Sequence, residues 1–460
     1  MTAPLWTSTA IAAATGGTAS AAFDVTGVTF DSREVGPGDL FIALKGAASD
    51  GHLFLDQAFA RGAAGAIVST PCAHPHVLVS DTMAALEALG IASRARTDAT
   101  IIGVTGSVGK TGTKEMLFAA LDRGAAGQVH RSVKSYNNHV GVPLSLSRMP
   151  AGCRYGVLEM GMNHAGELAA LTRFVRPHVA IITNIGPVHI EFFKDEAGIA
   201  DAKAEIFQGL EVGGTAIIPF DSVHYSRLAT AAKAQGARVV SFGSGALADV
   251  RILETMRTPT GGTFVTAQLV SREVSFTIGQ PGAHLVSNAL AVLAAIEAAG
   301  GDVALAGLAL ADLGGLPGRG ARFLTRVPYG GTALVIDESY NANPASMRAT
   351  LAVLAADPAP RKIALLGEMG ELGAESAAFH AGLASFVADA GVALAILVGN
   401  GMIPLGMALE GQVEFVHVAN AAAALAHLQS VLSAGDAVLI KGSNFVGLAA
   451  VVAALGGAKP

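Results

Sequence analysis

The run Gly103-Val104-Thr105-Gly106-Ser107-Val108-Gly109-Lys110-Thr111-Gly112 places a lysine and a hydroxyl directly after closely spaced glycines, an arrangement suited to holding phosphate. An apolar stretch, Thr100 to Thr105, leads into it and a helical pattern opens near Lys110, so the glycines stand between a strand and a helix. There the backbone N–H groups can approach phosphate oxygens, and the helix N-terminus favours an anion. In such a loop the lysine reaches the β- and γ-phosphates and the following hydroxyl ligates Mg²⁺, so ATP and Mg²⁺ are expected at Lys110 and Thr111. The strict pattern opens with glycine at position 104; Val104 stands there and the glycine lies one residue earlier, at Gly103. A turn that merely closed a strand would have no packing use for Gly-Lys-Thr.

Other residues could complete this chemistry. Glu159 follows the apolar run Tyr155-Gly156-Val157-Leu158, which puts its carboxylate at the carboxyl edge of a sheet, where α/β proteins bind ligands. His189 lies in Pro187-Val188-His189, after a run ending at Thr183-Asn184; a lone histidine is usually a packing or surface residue. Lys203 sits in Asp201-Ala202-Lys203-Ala204-Glu205, and charges at helical spacing read as a solvated helix face.

The elements that position these groups follow from length and pattern. At about 150 residues per domain, 460 residues predict about three domains. Hydrophobic residues make up 51% and charged residues 14%, which excludes a disordered chain. A net charge of -6 argues against a broad nucleic-acid or anionic-lipid footprint but leaves room for a local anion site. Although the mean hydropathy is +0.49, no run of about 18 apolar residues survives. The most apolar stretch, Gly391 to Leu409, is broken by Gly399-Asn400-Gly401 and Pro404 and reads as a strand, a turn and a second element. The first basic residue is Arg33, too late for the charged start of a signal peptide, so a cytoplasmic protein without membrane insertion is expected. Cys72 and Cys153 lack metal-ligand spacing and read as reduced filler.

Three blocks emerge: 1–97, with short units; 98–324, opening with the phosphate loop; and 325–460, a new strand–helix series. In the middle block, apolar runs alternate with segments of helical spacing such as Glu167 to Val175, predicting a parallel sheet with right-handed crossovers. Asp249 to Ile278 alternates instead around Thr258-Pro259-Thr260-Gly261-Gly262 and predicts an antiparallel hairpin before a helix over His284 to Ala299. The fold class is therefore α/β. It comprises a small α/β first domain, a central phosphate-loop domain carrying a hairpin, and a doubly wound, Rossmann-like third domain.

Several strings resemble the ATP-dependent Mur ligases and their relatives, the folylpolyglutamate synthetases, which share the loop variant. They are Asp31-Ser32-Arg33, Gly38-Asp39-Leu40-Phe41, Asp50-Gly51-His52, Asn137-Asn138 before Gly141-Val142-Pro143, Glu159-Met160-Gly161-Met162-Asn163-His164, Ala202-Lys203-Ala204-Glu205-Ile206, Tyr340-Asn341-Ala342-Asn343-Pro344 and Lys441-Gly442-Ser443. The Glu-Met-Gly-Met-Asn-His and Tyr-Asn-Ala-Asn-Pro strings point to the branch that attaches D-alanyl-D-alanine to UDP-MurNAc-tripeptide. The resemblance implies that Glu159 ligates Mg²⁺, that His189 serves a second metal, and that Lys203 is carbamylated by CO₂ and supports the metal site. A carbamate needs a neutral amine, hence a lowered pKa.

For the nucleotide it implies Gly103, Thr105 to Gly112, Asn288, Arg319 and the acidic pair Asp337-Glu338, with Arg322 as an alternative to Arg319. Where the family usually has Asn after His284, this chain has Leu285. Ser32, Arg33, Lys45 and His52 fall in strings resembling the part that holds the UDP-sugar, and Asn137, Asn138 and Asn163 fit the sugar–peptide side. Asn341, Asn343 and Ser443 are expected to face the dipeptide; Asn444 stands where family strings often carry Arg.

The implied activity is an amide ligation by a monomer. A substrate carboxylate attacks the γ-phosphorus of ATP, and the resulting acyl phosphate is taken by the amine of D-alanyl-D-alanine. A folylpolyglutamate synthetase or another Mur ligase is the nearest alternative, followed by a phosphate-loop phosphotransferase.

Overall fold

The computed structural model describes residues 4–46, 49–259, 261–328 and 330–458. The first domain is a five-stranded sheet in the order Thr18–Ala19, His76–Leu78, Gly65–Val68, Asp39–Ile42, Gly27–Thr29, parallel except at the first pair. Its long helix α1 (Thr82–Ala95) is capped by Asp81, whose side chain accepts from Met83 N and Ala84 N.

Central strand β1 (Thr100–Thr105) is apolar and fully buried beyond its first residue, as a strand covered on both faces must be. Gly106 and Gly109 follow with φ of 148° and 88°, a turn that L side chains resist. Gly109 stops the extended chain and α2 (Lys110–Gly124) starts at the lysine. Strand β2 (Val129–Arg131), helix α3 (Gly141–Ser147), β3 (Tyr155–Glu159), β4 (Val179–Ile182) and helix α4 (Glu196–Ala204) come next. The nine-stranded sheet runs Glu273–Ile278, Thr263–Gln268, Val250–Arg257, Arg238–Gly243, Thr215–Pro219, β4, β1, β3, β2. Its first three strands form an antiparallel meander and the rest are parallel. The predicted hairpin is therefore three strands rather than two, because Glu273–Ile278 alternates as well; Thr260 of its turn lies outside the described residues. Helix α5 (Ala283–Ala298) is apolar nearly all round because it lies in the core between α2 and the strands of this sheet.

The third domain has a six-stranded sheet: Ala321–Arg326, β5 (Thr332–Glu338), then β6 (Asp436–Lys441), Arg361–Gly367, Val392–Val398 and Glu414–Val418. Only Ala321–Arg326 is antiparallel to its neighbour. Between β5 and β6 in sequence, α6 (Pro344–Ala355) begins with a capping box in which Asn343 and Ser346 exchange bonds, with Pro344 at the first turn. The stretch Gly391 to Leu409 resolves into a strand, a short 3-10 turn and a helix. None of the described helices is long and apolar enough to cross a membrane.

The first domain is seated on the central one through α1 against α3. The Trp6 indole N–H donates to Ser147 O at 2.8 Å, Arg96 donates to Met149 O at 3.3 Å, and Arg148 donates to Val28 O.

Candidate active site

A cavity of about 430 Å³ opens where the carboxyl ends of the central strands meet the third domain. Its floor is the loop Ser107 to Gly112 with Glu159. Lys110 Nζ donates to Gly106 O at 2.7 Å, and crowding by protein lowers its pKa while Glu159 acts to raise it. The Thr111 hydroxyl donates to Glu159 Oε1 at 3.2 Å, and Asn137 Nδ2 donates to the same oxygen at 2.8 Å. Glu159 is 1% exposed because β3 ends there against β1. Its own N–H donates to Ser132 Oγ at 2.9 Å, while its Oε2 has no hydrogen-bond partner.

Gly103 and Thr105 lie within β1, not along the cavity: a Cβ at Gly103 would fall 2.6 Å from Met160 Cε, and Thr105 is fully buried. Gly106 turns under Thr183, whose Oγ1 would lie 1.9 Å from an added Cβ. Gly109 lies against Asn288, whose Oδ1 would be 3.0 Å from one, so the Asn288 amide flanks the loop.

Lys203 is 1% exposed on α4, against the solvated face read from its neighbours. Among the described residues no carboxylate pairs with it. Burial, followed by the nearby Lys110 cation, pulls its pKa well below the ordinary lysine value. It lies outside the cavity lining. His189 lines the cavity with its backbone left-handed, φ 60°, and its Nδ1 stands 2.5 Å from Oε2 of Glu371. Glu371 is also left-handed, φ 59°, and the histidine holds its carboxyl below the usual range. Among the described residues no three His, Cys, Asp or Glu side chains form a metal-binding group.

The facing wall comes from α5 and the third domain. Both Arg319 and Arg322 reach the cavity. Arg322 is held at 2.5 Å by Asp357, whereas the Arg319 guanidinium lies 4.3 Å over the Tyr340 ring. Asp337 is spent on the backbone: it accepts from Gly318 N at 2.6 Å, Ser339 N at 3.0 Å and Ser339 Oγ at 2.7 Å. Glu338 lines the cavity, its pKa raised by burial and opposed by Lys441 at 3.6 Å. Asn341, Asn343 and Asn163 line it too, although Asn343 is also the cap of α6. Ser443 lies behind, its Oγ accepting from Gly370 N at 2.9 Å. Asn138 lies in the turn before α3, its Oδ1 accepting from Gly141 N at 2.9 Å.

The first-domain candidates do not reach this cavity. Ser32 donates to Gln57 Oε1 at 2.9 Å, and Arg33 pairs with Asp31 at 2.6 Å while 81% exposed. Lys45 is exposed. His52 has Asp50 Oδ1 2.6 Å from Nδ1 and accepts from Ser69 N at 2.9 Å on Nε2.

Sequence reasoning passed over Lys114, Glu371 and Lys441. Lys114 had a signal, one helical turn after Lys110. Lys441 was visible only as the start of Lys-Gly-Ser. Glu371 had none, being brought to His189 by domain packing alone.

Comparisons with known proteins agree along the whole chain. Family models described as Mur ligase family, catalytic domain, Mur ligase middle domain, and Mur ligase, glutamate ligase domain match residues 24–124, 104–296 and 322–444. The UDP-N-acetylmuramoyl-tripeptide--D-alanyl-D-alanine ligase of Escherichia coli is 34% identical over 93% of each chain, and that of Rickettsia prowazekii 31% over 97% of this chain and 99% of the relative. The crystal structure of MurF from Acinetobacter baumannii superposes with a TM-score of 0.84 at 32% identity, covering 98% of this chain and 99% of that one. MurF from Thermotoga maritima, in complex with ADP, gives 0.77 at 26% identity, covering 93% and 96%. The chain belongs to the Mur ligase family.

Proposed function

We propose that this chain joins the amine of D-alanyl-D-alanine to the terminal carboxyl of UDP-MurNAc-tripeptide, converting ATP to ADP and phosphate and making the pentapeptide precursor of peptidoglycan. The observation that carries this reading is the extent of the likeness: relatives bearing that activity in their names match more than nine-tenths of the chain, phosphate loop and third-domain wall included. We read 1–97 as the UDP-sugar part, the block from 98 as the ATP part and the third block as the part that receives the dipeptide and closes over ATP; the boundary expected at 324/325 falls inside strand Ala321–Arg326, which pairs with β5 and so belongs to the third block. The reaction consumes ATP, a cytoplasmic nucleotide, so this reading places it in the cytoplasm, with a single chain as the working unit.

An ionised carboxylate is a poor acyl donor until one oxygen becomes a phosphate leaving group. Lys110, freed from Gly106 O, takes the β/γ-phosphate charge, and the loop N–H groups hold the phosphates in line for attack by the carboxylate. Asn288 beside Gly109 and Arg319 stacked on Tyr340 hold the rest of the nucleotide, with Glu338 on the same wall. The Tyr340–Asn343 turn faces the amine that then displaces phosphate from the acyl phosphate.

Thr111 and Glu159 fit Mg²⁺: a hydroxyl and the carboxylate oxygen Oε1 meet at the cavity floor, and phosphates and water complete such a site without further carboxylates. Bound there, the ion offsets phosphate charge. His189 with Glu371 offers an imidazole and a carboxylate for a second cation. Lys203, buried with a lowered pKa, suits CO₂ capture, which would turn a cation into an anion supporting that side of the cavity.

The test is product analysis with ATP, UDP-MurNAc-tripeptide and D-alanyl-D-alanine. ADP, free phosphate and pentapeptide, formed only when all three are present, is the expected result. A stable phosphorylated product without pentapeptide would make the chain a phosphotransferase.

A further inference from the structure

Lys114 is a lysine with no exposed surface, on α2 one turn beyond Lys110, and no step above uses it. Its ammonium donates to Ser132 O at 3.2 Å and Lys134 O at 2.5 Å. It also lies 3.1 Å from Glu115 Oε1 and 3.8 Å from Glu159 Oε2. Glu115 is shared outward with Arg131, 3.1 Å away. The charges thus alternate Arg131, Glu115, Lys114, Glu159, in a row that begins at the surface and ends at the cavity floor.

The two oxygens of Glu159 are therefore unlike. Oε1 faces Thr111 and Asn137, both cavity residues; Oε2 is occluded, and Lys114 is the cation nearest it among the described residues. A buried carboxylate without a cation costs far more than a paired one, and Lys110, which is to serve phosphate, cannot also be its permanent partner. The segment Lys114 grips is itself constrained. Lys134 is left-handed, φ 49°, and its own ammonium reaches Glu34 of the first domain at 2.5 Å.

We infer that Lys114 is a positioning residue for Glu159: from beneath the loop it holds Oε2 so that Oε1 is presented beside Thr111 for a divalent cation. The inference rests on the assignment of that cation to Thr111 and Glu159. It predicts that the charge of Lys114, and not only its hydrogen bonds, governs cation affinity.

The discriminating variant is Lys114→Gln, which can still donate to Ser132 O and Lys134 O but carries no charge. Lys114→Met, of similar length and apolar, replaces it if the glutamine variant does not fold. Glu159→Gln runs in parallel. Mn²⁺ binding to the full chain with ADP is measured by electron paramagnetic resonance, and ADP binding without metal by calorimetry. The expected result is Mn²⁺ affinity at least tenfold weaker in Lys114→Gln and in Glu159→Gln, with metal-free ADP affinity within twofold of wild type. Wild-type Mn²⁺ affinity in a folded Lys114→Gln chain, with Glu159→Gln impaired, overturns the inference alone. An equal loss of metal-free ADP affinity in Lys114→Gln also overturns it, since that reports a damaged loop. Unchanged Mn²⁺ affinity in Glu159→Gln overturns the cation assignment and the inference together.

Discussion

At the phosphate loop, Glu159 ends its strand fully buried, its Oε2 without a hydrogen bond and with Lys114 as the nearby cation, and Lys110 and Lys203 carry lowered pKa values. On the first domain, His52 has partners at both ring nitrogens, Ser32 is bonded to Gln57, and Arg33 pairs with the Asp31 two residues before it. Both regions were singled out by short polar strings, yet the loop region holds Lys110 and Lys203 with no carboxylate paired to either among the described residues, while Ser32 and His52 of the first domain have spent their bonds on neighbours. Polar groups buried without partners cost free energy that a well-packed fold avoids. Their survival at the loop marks where a ligand completes the structure, whereas satisfied groups in the first domain hold shape until the domain meets its ligand.

The largest effect that would sharpen this contrast is at Lys110. Its ammonium bonds only a loop carbonyl, so Lys110→Ala should lower turnover by on the order of 10³-fold or more while the melting temperature stays within a few degrees. Wild-type turnover in the soluble variant would remove the loop from the chemistry. Lys203 comes next. Lys203→Ala should lose roughly 10²-fold, by analogy with the loss of one charged group from a preorganised site, and formate or acetate should restore part of it. Lys203→Arg should not recover, because guanidinium stays charged. No rescue by either acid, together with an active Lys203→Arg chain, would reduce Lys203 to a buried helix residue.

Much of the central domain was legible because its chemistry and its secondary structure share the same residues. The strand ending at Thr105, the helix starting at Lys110 and the strand ending at Glu159 all follow from apolar runs and glycines. The burial of Lys203 was not legible: on α4 its neighbours Asp201 and Glu205 read as a solvated face, and only packing of that helix shows which side is covered. Glu371 met His189 through domain packing over 180 residues of intervening chain, which no local pattern encodes. First-domain strings marked real turns, such as the one capped by Asp50 at His52, but could not reveal that those side chains already bond one another. Asp337 is the converse: the string named it beside the nucleotide, and the structure spends its carboxylate on the Gly318–Ser339 backbone.

A smaller effect probes the seam where the first domain rests on α3. His130 on β2 is neutralised by burial, its pKa lowered to about 4, with Nε2 2.7 Å from Ser145 O. The unfolded chain binds this proton near pH 6.5 and the folded chain only near 4, so the unfolded state holds more protons between them. Stability is therefore full above pH 6.5 and falls as pH drops toward 4, by at most about 3 kcal/mol from this group. His284, lowered to about 4 as well, adds a loss of the same sign. Urea midpoints from pH 7 to 4.5 should fall less steeply in His130→Asn; an unchanged slope would show that His130 is not the titrating group.

The smallest effects separate the two kinds of first-domain residue from each other. His52 bridges Asp50 and the Ser69 backbone with a side chain 13% exposed, so His52→Ala removes partners from two polar groups and should cost about 1–2 kcal/mol of stability. Arg33 is paired with Asp31 but largely in solvent, where such a pair contributes little, so Arg33→Ala should leave the urea midpoint almost unmoved. If Arg33 nevertheless serves the UDP-sugar, its loss will raise the KM for UDP-MurNAc-tripeptide while kcat and the KM for ATP hold. His52→Ala should instead lower stability first and change KM only as the domain loosens. A destabilised Arg33→Ala chain with unchanged KM would reverse the two assignments and show that, in this domain, a bonded side chain and a waiting one cannot be told apart by exposure.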